Sequence, residues 1–349
     1  MEFVTGVVRD LWGRYKGDTA QLGQGRGKEF SETADQASDM IKTYGPIHTD
    51  AVVSLAAIQS GLCLSGSKDR SVALYDYHNH RLEEKWTGHE REVTKVRYGP
   101  NCNSLFSASR DKSVKMWCRG RPSPIQTFTG HELVVTALDL NNDNRLLCTG
   151  SRDNSVRLWD VEKGECLLEN NIHRNLVTDL KFIPGDNGMV QTGEDKHVRI
   201  YETKNLLVTH TFPKKQYIQM CCDVSKDGNY CLTCSNGFGG SGCEATLYDL
   251  RMKSIVHEFK GHREAIESCI FLPFNGRNLI ATASRDCSVR IWDRDTKECV
   301  ADTCLSGSGP LTSLICYEDS SLCVSSFHMG IFQLQFSLAN GTLWPVARF

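Results

Sequence analysis

The stretch that decides the fold is Gly130-His131-Glu132-Leu133-Val134-Val135-Thr136-Ala137-Leu138, followed by Leu146-Leu147-Cys148-Thr149-Gly150-Ser151-Arg152-Asp153 and Ser155-Val156-Arg157-Leu158-Trp159-Asp160. Its apolar residues fall in short alternating runs, the pattern of strands with one buried face. Between the runs lie Asn141-Asn142-Asp143-Asn144 and Glu162-Lys163-Gly164, whose residue types favour turns. The segment therefore predicts a small antiparallel sheet.

Outward from it the same phrase returns. Ser65-Gly66-Ser67-Lys68-Asp69, Ser107-Ala108-Ser109-Arg110-Asp111 and Thr282-Ala283-Ser284-Arg285-Asp286 repeat Thr149 to Asp153, and each Asp is followed six residues later by an aromatic: Tyr75, Trp117, Trp159 or Trp292. A weaker copy, Gly193-Glu194-Asp195, reaches Tyr201. The aromatics step by 42 residues from Tyr75 to Trp117, Trp159 and Tyr201, then by 47 to Tyr248 and 44 to Trp292. A period of about 40 to 45 residues is that of a propeller blade. Inner strands near Val52, Val93, Val134, Val177, Ile218, Ile266 and Leu311 make seven units, so the expected fold is all-β, a seven-bladed β-propeller over residues 46–349. Asn340-Gly341 is a strong hairpin signal. It favours Thr342–Ala347 over Met40–Tyr44 as the fourth strand of the last blade.

Five units open with a histidine: His48, His89, His131, His173 and His262. Three of these stand in Gly-His, and Trp159-Asp160 and Trp292-Asp293 close their units. This pairing resembles the WD40 repeat family over roughly residues 46 to 336. The resemblance implies that His89/Ser107/Asp111/Trp117, His131/Thr149/Asp153/Trp159 and His262/Thr282/Asp286/Trp292 form hydrogen-bonded relays within their blades. A hydrolase triad would use the same residue types. It is needed once, however, and these sets occur three times. The first and fourth units depart from the pattern, with Tyr75 and Tyr201 in place of Trp and Gln191 in place of the hydroxyl. The fifth and seventh lack the His-Asp pair.

Other chemistry is weaker. Gly23-Gln24-Gly25-Arg26-Gly27-Lys28 has neither the glycine spacing nor the hydroxyl residue of a phosphate loop, since Glu29 follows the lysine. The glycine-rich Gly237 to Gly242 leads into a strand, not a helix. Cys231 and Cys234 make a CxxC with Cys221, Cys222 and Cys243 nearby, but residues three apart on a strand face opposite ways. These thiols are read as structural, and neither a metal nor a cofactor is expected.

A chain of 349 residues with 40 basic and 42 acidic side chains is nearly neutral, which argues against nucleic acid as a partner. No window approaches the roughly 18 apolar residues of a membrane span. Met1-Glu2-Phe3-Val4 lacks the marks of a secretory signal, and the expected location is the cytoplasm. Residues 1–45 form an expected N-terminal extension. Phe3, Val4, Val7, Val8, Leu11, Trp12 and Tyr15 are spaced for one apolar helical face and a polar linker spans 21–38, so membrane contact is at most peripheral through that helix.

The residues preceding the turn aspartates, Lys68, Arg110, Arg152, Glu194 and Arg285, are basic in four cases of five. On the His-Asp end they would form a rim balanced by Glu90, Glu92, Glu132 and Glu264, or a docking surface for an acidic or phosphorylated protein segment. A closer resemblance within the family is carried by Ser235 to Arg251, Gly307 to Leu314 and Phe212-Pro213-Lys214-Lys215-Gln216. It implies a protein of cytoplasm and cilium that recruits intraflagellar-transport and BBSome machinery. Tyr248-Asp249-Leu250-Arg251 resembles instead the WDxR signature of cullin-type ubiquitin ligase receptors, with Tyr in place of Trp.

Overall fold

The computed structural model describes residues 41–349 except 186–187, 275 and 329. The amphipathic helix and linker expected before residue 41 lie outside the described residues. Every regular element within them is a strand. The blades are four-stranded antiparallel sheets. Blade 1 is Val52–Gln59, Leu62–Ser67, Ser71–Asp76 and Arg81–Thr87; blade 2 is Val93–Gly99, Ser104–Ser109, Val114–Cys118 and Gln126–Phe128. Blade 3 is Val135–Leu140, Leu146–Ser151, Ser155–Asp160 and Cys166–Asn171; blade 4 is Val177–Phe182, Gly188–Gly193, Val198–Glu202 and Leu207–Thr211. Blade 5 is Gln219–Val224, Tyr230–Ser235, Glu244–Asp249 and Ser254–Lys260; blade 6 is Ile266–Phe271, Leu279–Ser284, Ser288–Asp293 and Cys299–Cys304. Blade 7 is Leu311–Cys316, Ser321–Ser326, Gly330–Ser337 and Thr342–Arg348, with Lys42–Thr43 added parallel outside the last of these. The C-terminal strand thus completes the last blade, as the Asn340-Gly341 turn predicts. The N-terminal segment contributes a fifth strand rather than the fourth.

The second strand of each blade is buried along almost its whole length, because it packs against neighbouring blades on both faces. Outer strands such as Cys166–Asn171 alternate or lie open. Apolar clusters accordingly sit between consecutive blades; the one joining blade 7 to blade 1 gathers Leu55, Tyr75, Tyr77, Tyr317, Ile331 and Phe349.

A second device holds the ring around its axis. Every inner strand carries a bulge just after its first residue. An extra residue there turns one side chain out of the pleat. In four blades that residue is Thr, and its hydroxyl donates to the first carbonyl of the next inner strand: Thr94 to Val135, Thr136 to Val177, Thr178 to Gln219 and Thr312 to Val52, at 2.5–2.6 Å. The last of these closes the circle. One residue further along, Ser54, Asp179, Ser268 and Ser313, and three residues along, Asp139 and Asp223, accept backbone N–H groups from the next blade. Lys95 pairs with Asp179 at 2.9 Å, skipping blade 3 and so tying blade 2 to blade 4; Arg97 pairs with Asp139 at 2.8 Å. Burial pushes the carboxyls of Asp179 and Asp223 up to about 7, against the pull of the facing cations.

Candidate functional site

The turn after each second strand and the loop before each inner strand lie at one end of the propeller, and the relays join them. In blade 2, Trp117 Nε1 donates to Ser107 Oγ at 2.8 Å, Ser107 Oγ lies 2.7 Å from His89 Nε2, and His89 Nδ1 lies 2.7 Å from Asp111 Oδ2. Blade 3 repeats this through Trp159, Thr149, His131 and Asp153 at 2.8, 2.7 and 2.9 Å. Blade 6 does so through Trp292, Thr282, His262 and Asp286 at 2.9, 2.8 and 3.0 Å. Indole N–H can only donate, so the hydroxyl passes its own hydrogen to imidazole Nε2 and Nδ1–H points at the carboxylate. Each carboxylate also accepts a loop backbone N–H, from Glu90, Glu132 or Arg263, and caps its own turn through Ser113, Ser155 or Ser288. The glycine of Gly-His lets the indole pack close: a Cβ on Gly261 would meet Arg290 Nη1 at 2.6 Å and Trp292 Cη2 at 3.0 Å.

This geometry is structural. Ser107, Thr149 and Thr282 are fully buried, and each is held from both sides by indole and imidazole. A nucleophile needs a free approach that none of them has.

The departing units resolve differently. In blade 1, His48 keeps its bonds to Ser65 (2.8 Å) and Asp69 (3.0 Å), while Tyr75 leaves the chain and stacks on Phe349 at 4.3 Å. In blade 4 the sequence reading needs correction, because His173 is exposed and takes no part. Asn175 occupies its place, exchanging two hydrogen bonds with Gln191 at 2.9 and 3.1 Å, and Arg199 links Asn175 to Asp195. The longer Gln191 amide fills the space a hydroxyl leaves for imidazole.

Burial alone would raise the turn aspartates. The bonds from His48, His89, His131 and His262 and from the turn serines outweigh it and hold Asp69, Asp111, Asp153 and Asp286 well below the usual carboxylate range. With folded values below the unfolded value of about 4, their stabilisation is complete above that pH and is lost as pH falls through the folded values. Acid unfolding followed by tryptophan fluorescence should therefore show a steep limb below about pH 4. In Asp153→Asn that limb should be shallower; identical limbs would contradict the assignment.

At the rim, the structure pairs each predicted arginine with a glutamate: Arg110 with Glu92 at 3.5 Å, Arg285 with Glu267 at 2.5 Å, and Arg152 with Glu194 of the next blade. Of the four acids expected to balance the rim, Glu92 alone serves an arginine in this way; Glu267 and Glu194 do the rest. The ammonium of Lys68 sits 4.1 Å over the Phe327 ring, and burial lowers its pKa. The turn of blade 5 carries Phe238 to the same end, where it bridges Glu264 and is 78% exposed.

Seven blades, three of them fastened by a complete Trp-hydroxyl-His-Asp relay, define the class of protein. Residues 81–118, 122–160 and 253–293 match the family "WD domain, G-beta repeat", which supports the WD40 repeat family; each match contains one of the three complete relays and begins with the outer strand of the preceding blade. WD repeat-containing protein 36 of Homo sapiens is 28% identical over 148 residues, covering 41% of this chain and 15% of that protein. Pre-mRNA-processing factor 17 of Saccharomyces cerevisiae is 24% identical over 288 residues, covering 79% and 61%. The chain thus spans less than two thirds of either relative. Among solved structures, the WD40 β-propeller domain of Doa1 is similar in fold, with a TM-score of 0.69 and 21% identity over 80% of this chain and 91% of that one.

Proposed function

We propose that the protein is a non-enzymatic scaffold that docks a protein segment bearing acidic or phosphorylated side chains on the His-Asp end of its propeller. One observation carries this reading: Lys68, Arg110, Arg152 and Arg285 come from four blades to one end, beside the exposed Phe238 ring. Arginine forks recognise carboxylate and phosphate bidentately, and an aromatic among them supplies apolar contact area. The glutamates now paired with the arginines would yield to the stronger anion of the partner.

The resemblance of Ser235–Arg251 and Gly307–Leu314 to WD repeat-containing protein 31 supports a role in ciliary transport, with intraflagellar-transport and BBSome components as partners and the cytoplasm and cilium as location. Two specific observations favour other assemblies. Arg251 is exposed in the turn that follows the strand end Tyr248-Asp249, as an adaptor-contacting residue of a cullin-type ligase receptor would be. The yeast relative's name places that protein in pre-mRNA processing, which suggests a scaffold in an RNA-processing assembly.

Replacing Arg110, Arg152 and Arg285 together by Glu tests the docking surface. The fold should persist: the exposed Arg110–Glu92 pair contributes about 0–1 kcal/mol, and the partly buried Arg152–Glu194 and Arg285–Glu267 pairs lie at the rim, away from the apolar clusters between blades. Affinity capture from ciliated cells should lose the partners retained by the wild-type chain, whose own binding should weaken with salt. Undiminished capture by the triple variant would move binding to another surface.

A further inference from the structure

The fifth blade contains an arrangement that the scaffold reading does not use. Cys221 lies on its inner strand, Cys234 directly opposite on the second strand, and Cys269 on the inner strand of blade 6. All three thiols are buried, and their sulphurs lie within 4.8 Å of one another. The CxxC is not the pairing that forms. Cys231 faces the opposite interface with Cys222, as residues three apart on a strand must, while Cys234 meets Cys221 and Cys269.

Ring packing does not call for sulphur at these places. The corresponding trio between blades 3 and 4 is Ala137, Gly150 and Leu180. Three sulphurs bonded in a plane to one metal at about 2.3 Å each lie about 4 Å apart, within the observed span. Among the described residues no histidine or carboxylate joins the three as a fourth ligand. A structural zinc site is almost always tetrahedral with four ligands, whereas an all-sulphur set of lower number suits a softer ion. Charge agrees. The Lys95 ammonium, paired with Asp179, is close enough to act on Cys221 and offsets part of the negative charge of a thiolate cluster.

We propose that Cys221, Cys234 and Cys269 form a three-coordinate all-sulphur site for a soft monovalent metal ion, Cu(I). Binding forms up to three Cu–S bonds, the displaced thiol protons pass to solvent, and the copper stays monovalent throughout. The ion clamps blade 5 to blade 6 where the relay of blade 5 is missing.

The test uses the full chain with Cys166, Cys299 and Cys304 changed to Ser, since these exposed thiols would bind copper nonspecifically. Under anaerobic reducing conditions, Cu(I) is added against a chromogenic Cu(I) chelator. One equivalent should be retained, X-ray absorption should show three sulphur neighbours and no nitrogen or oxygen, and Tm should rise with Cu(I). Cys269→Ala should lower that affinity at least about 100-fold, beyond the 10–100-fold cost of losing a supporting contact. Should that variant fail to fold, the absorption spectrum of the Cys-depleted chain decides alone. Zn(II) displacing Cu(I) at equal concentration, retention of the equivalent by folded Cys269→Ala, or a spectrum with nitrogen or oxygen ligands would overturn the assignment.

Discussion

Deleting residues 341–349 should leave a chain that no longer folds. Thr342–Arg348 is the fourth strand of blade 7, Leu343, Ala347 and Phe349 are buried, and Phe349 exchanges two backbone hydrogen bonds with Ile331 at 2.8 and 2.9 Å. Phe349 also stacks on Tyr75, so its loss opens the seam between the last blade and the first. The burial of Leu343 and Phe349, lost with the segment, contributes about 1.5–3 kcal/mol each. Uncovering Phe332, Leu334 and Phe336 adds to that. A total well above 5 kcal/mol reaches the margin of about 5–15 kcal/mol by which domains are stable. Among the described residues, deleting 1–45 removes the exposed two-residue strand Lys42–Thr43 and the half-buried Tyr44, which stacks on His80, and should be tolerated. Circular dichroism melts of the two truncations check this, and the reverse outcome would reassign ring closure to the N-terminal segment.

Asp153→Ala should destabilise the fold although it removes no apolar packing. The carboxylate accepts from His131, Ser155 Oγ and the backbone N–H groups of Glu132 and Ser155. Removing it leaves these donors short of a partner at a nearly buried site, a loss of about 3 kcal/mol. In a domain of this size each kcal/mol lowers Tm by roughly 2–4 °C. The change should be matched in blades 2 and 6 by Asp111→Ala and Asp286→Ala. Blade 4 supplies the contrast, since His173→Ala should leave Tm unmoved. An unchanged Tm in Asp153→Ala would dismiss the relay.

The blade period, the relays of blades 2, 3 and 6 and the closing strand were all legible in the sequence, because each is a relation within one repeat. What escaped was mostly relation between repeats. Glu194 belongs to the blade after Arg152, and Cys269 lies 35 residues beyond Cys234. Such pairings depend on how blades are set around the axis, and a period does not state that. The threonine staples are an intermediate case. Val93-Thr94, Val135-Thr136, Val177-Thr178 and Leu311-Thr312 recur at the start of inner strands, a signal available but left unused. His173 failed for another reason: it opens its unit as His131 does, but Asn175 and Gln191 together satisfy the buried polar groups there without imidazole.

The central claim, a docking surface on the His-Asp end of a structural propeller, is tested most directly by hydrogen exchange of the chain with and without a captured partner. Amides in the turns at Lys68, Arg110, Arg152, Phe238 and Arg285 should gain protection on binding, while turns at the opposite end, such as Asn141–Asn144, stay unchanged. Protection confined to that opposite end would contradict the account.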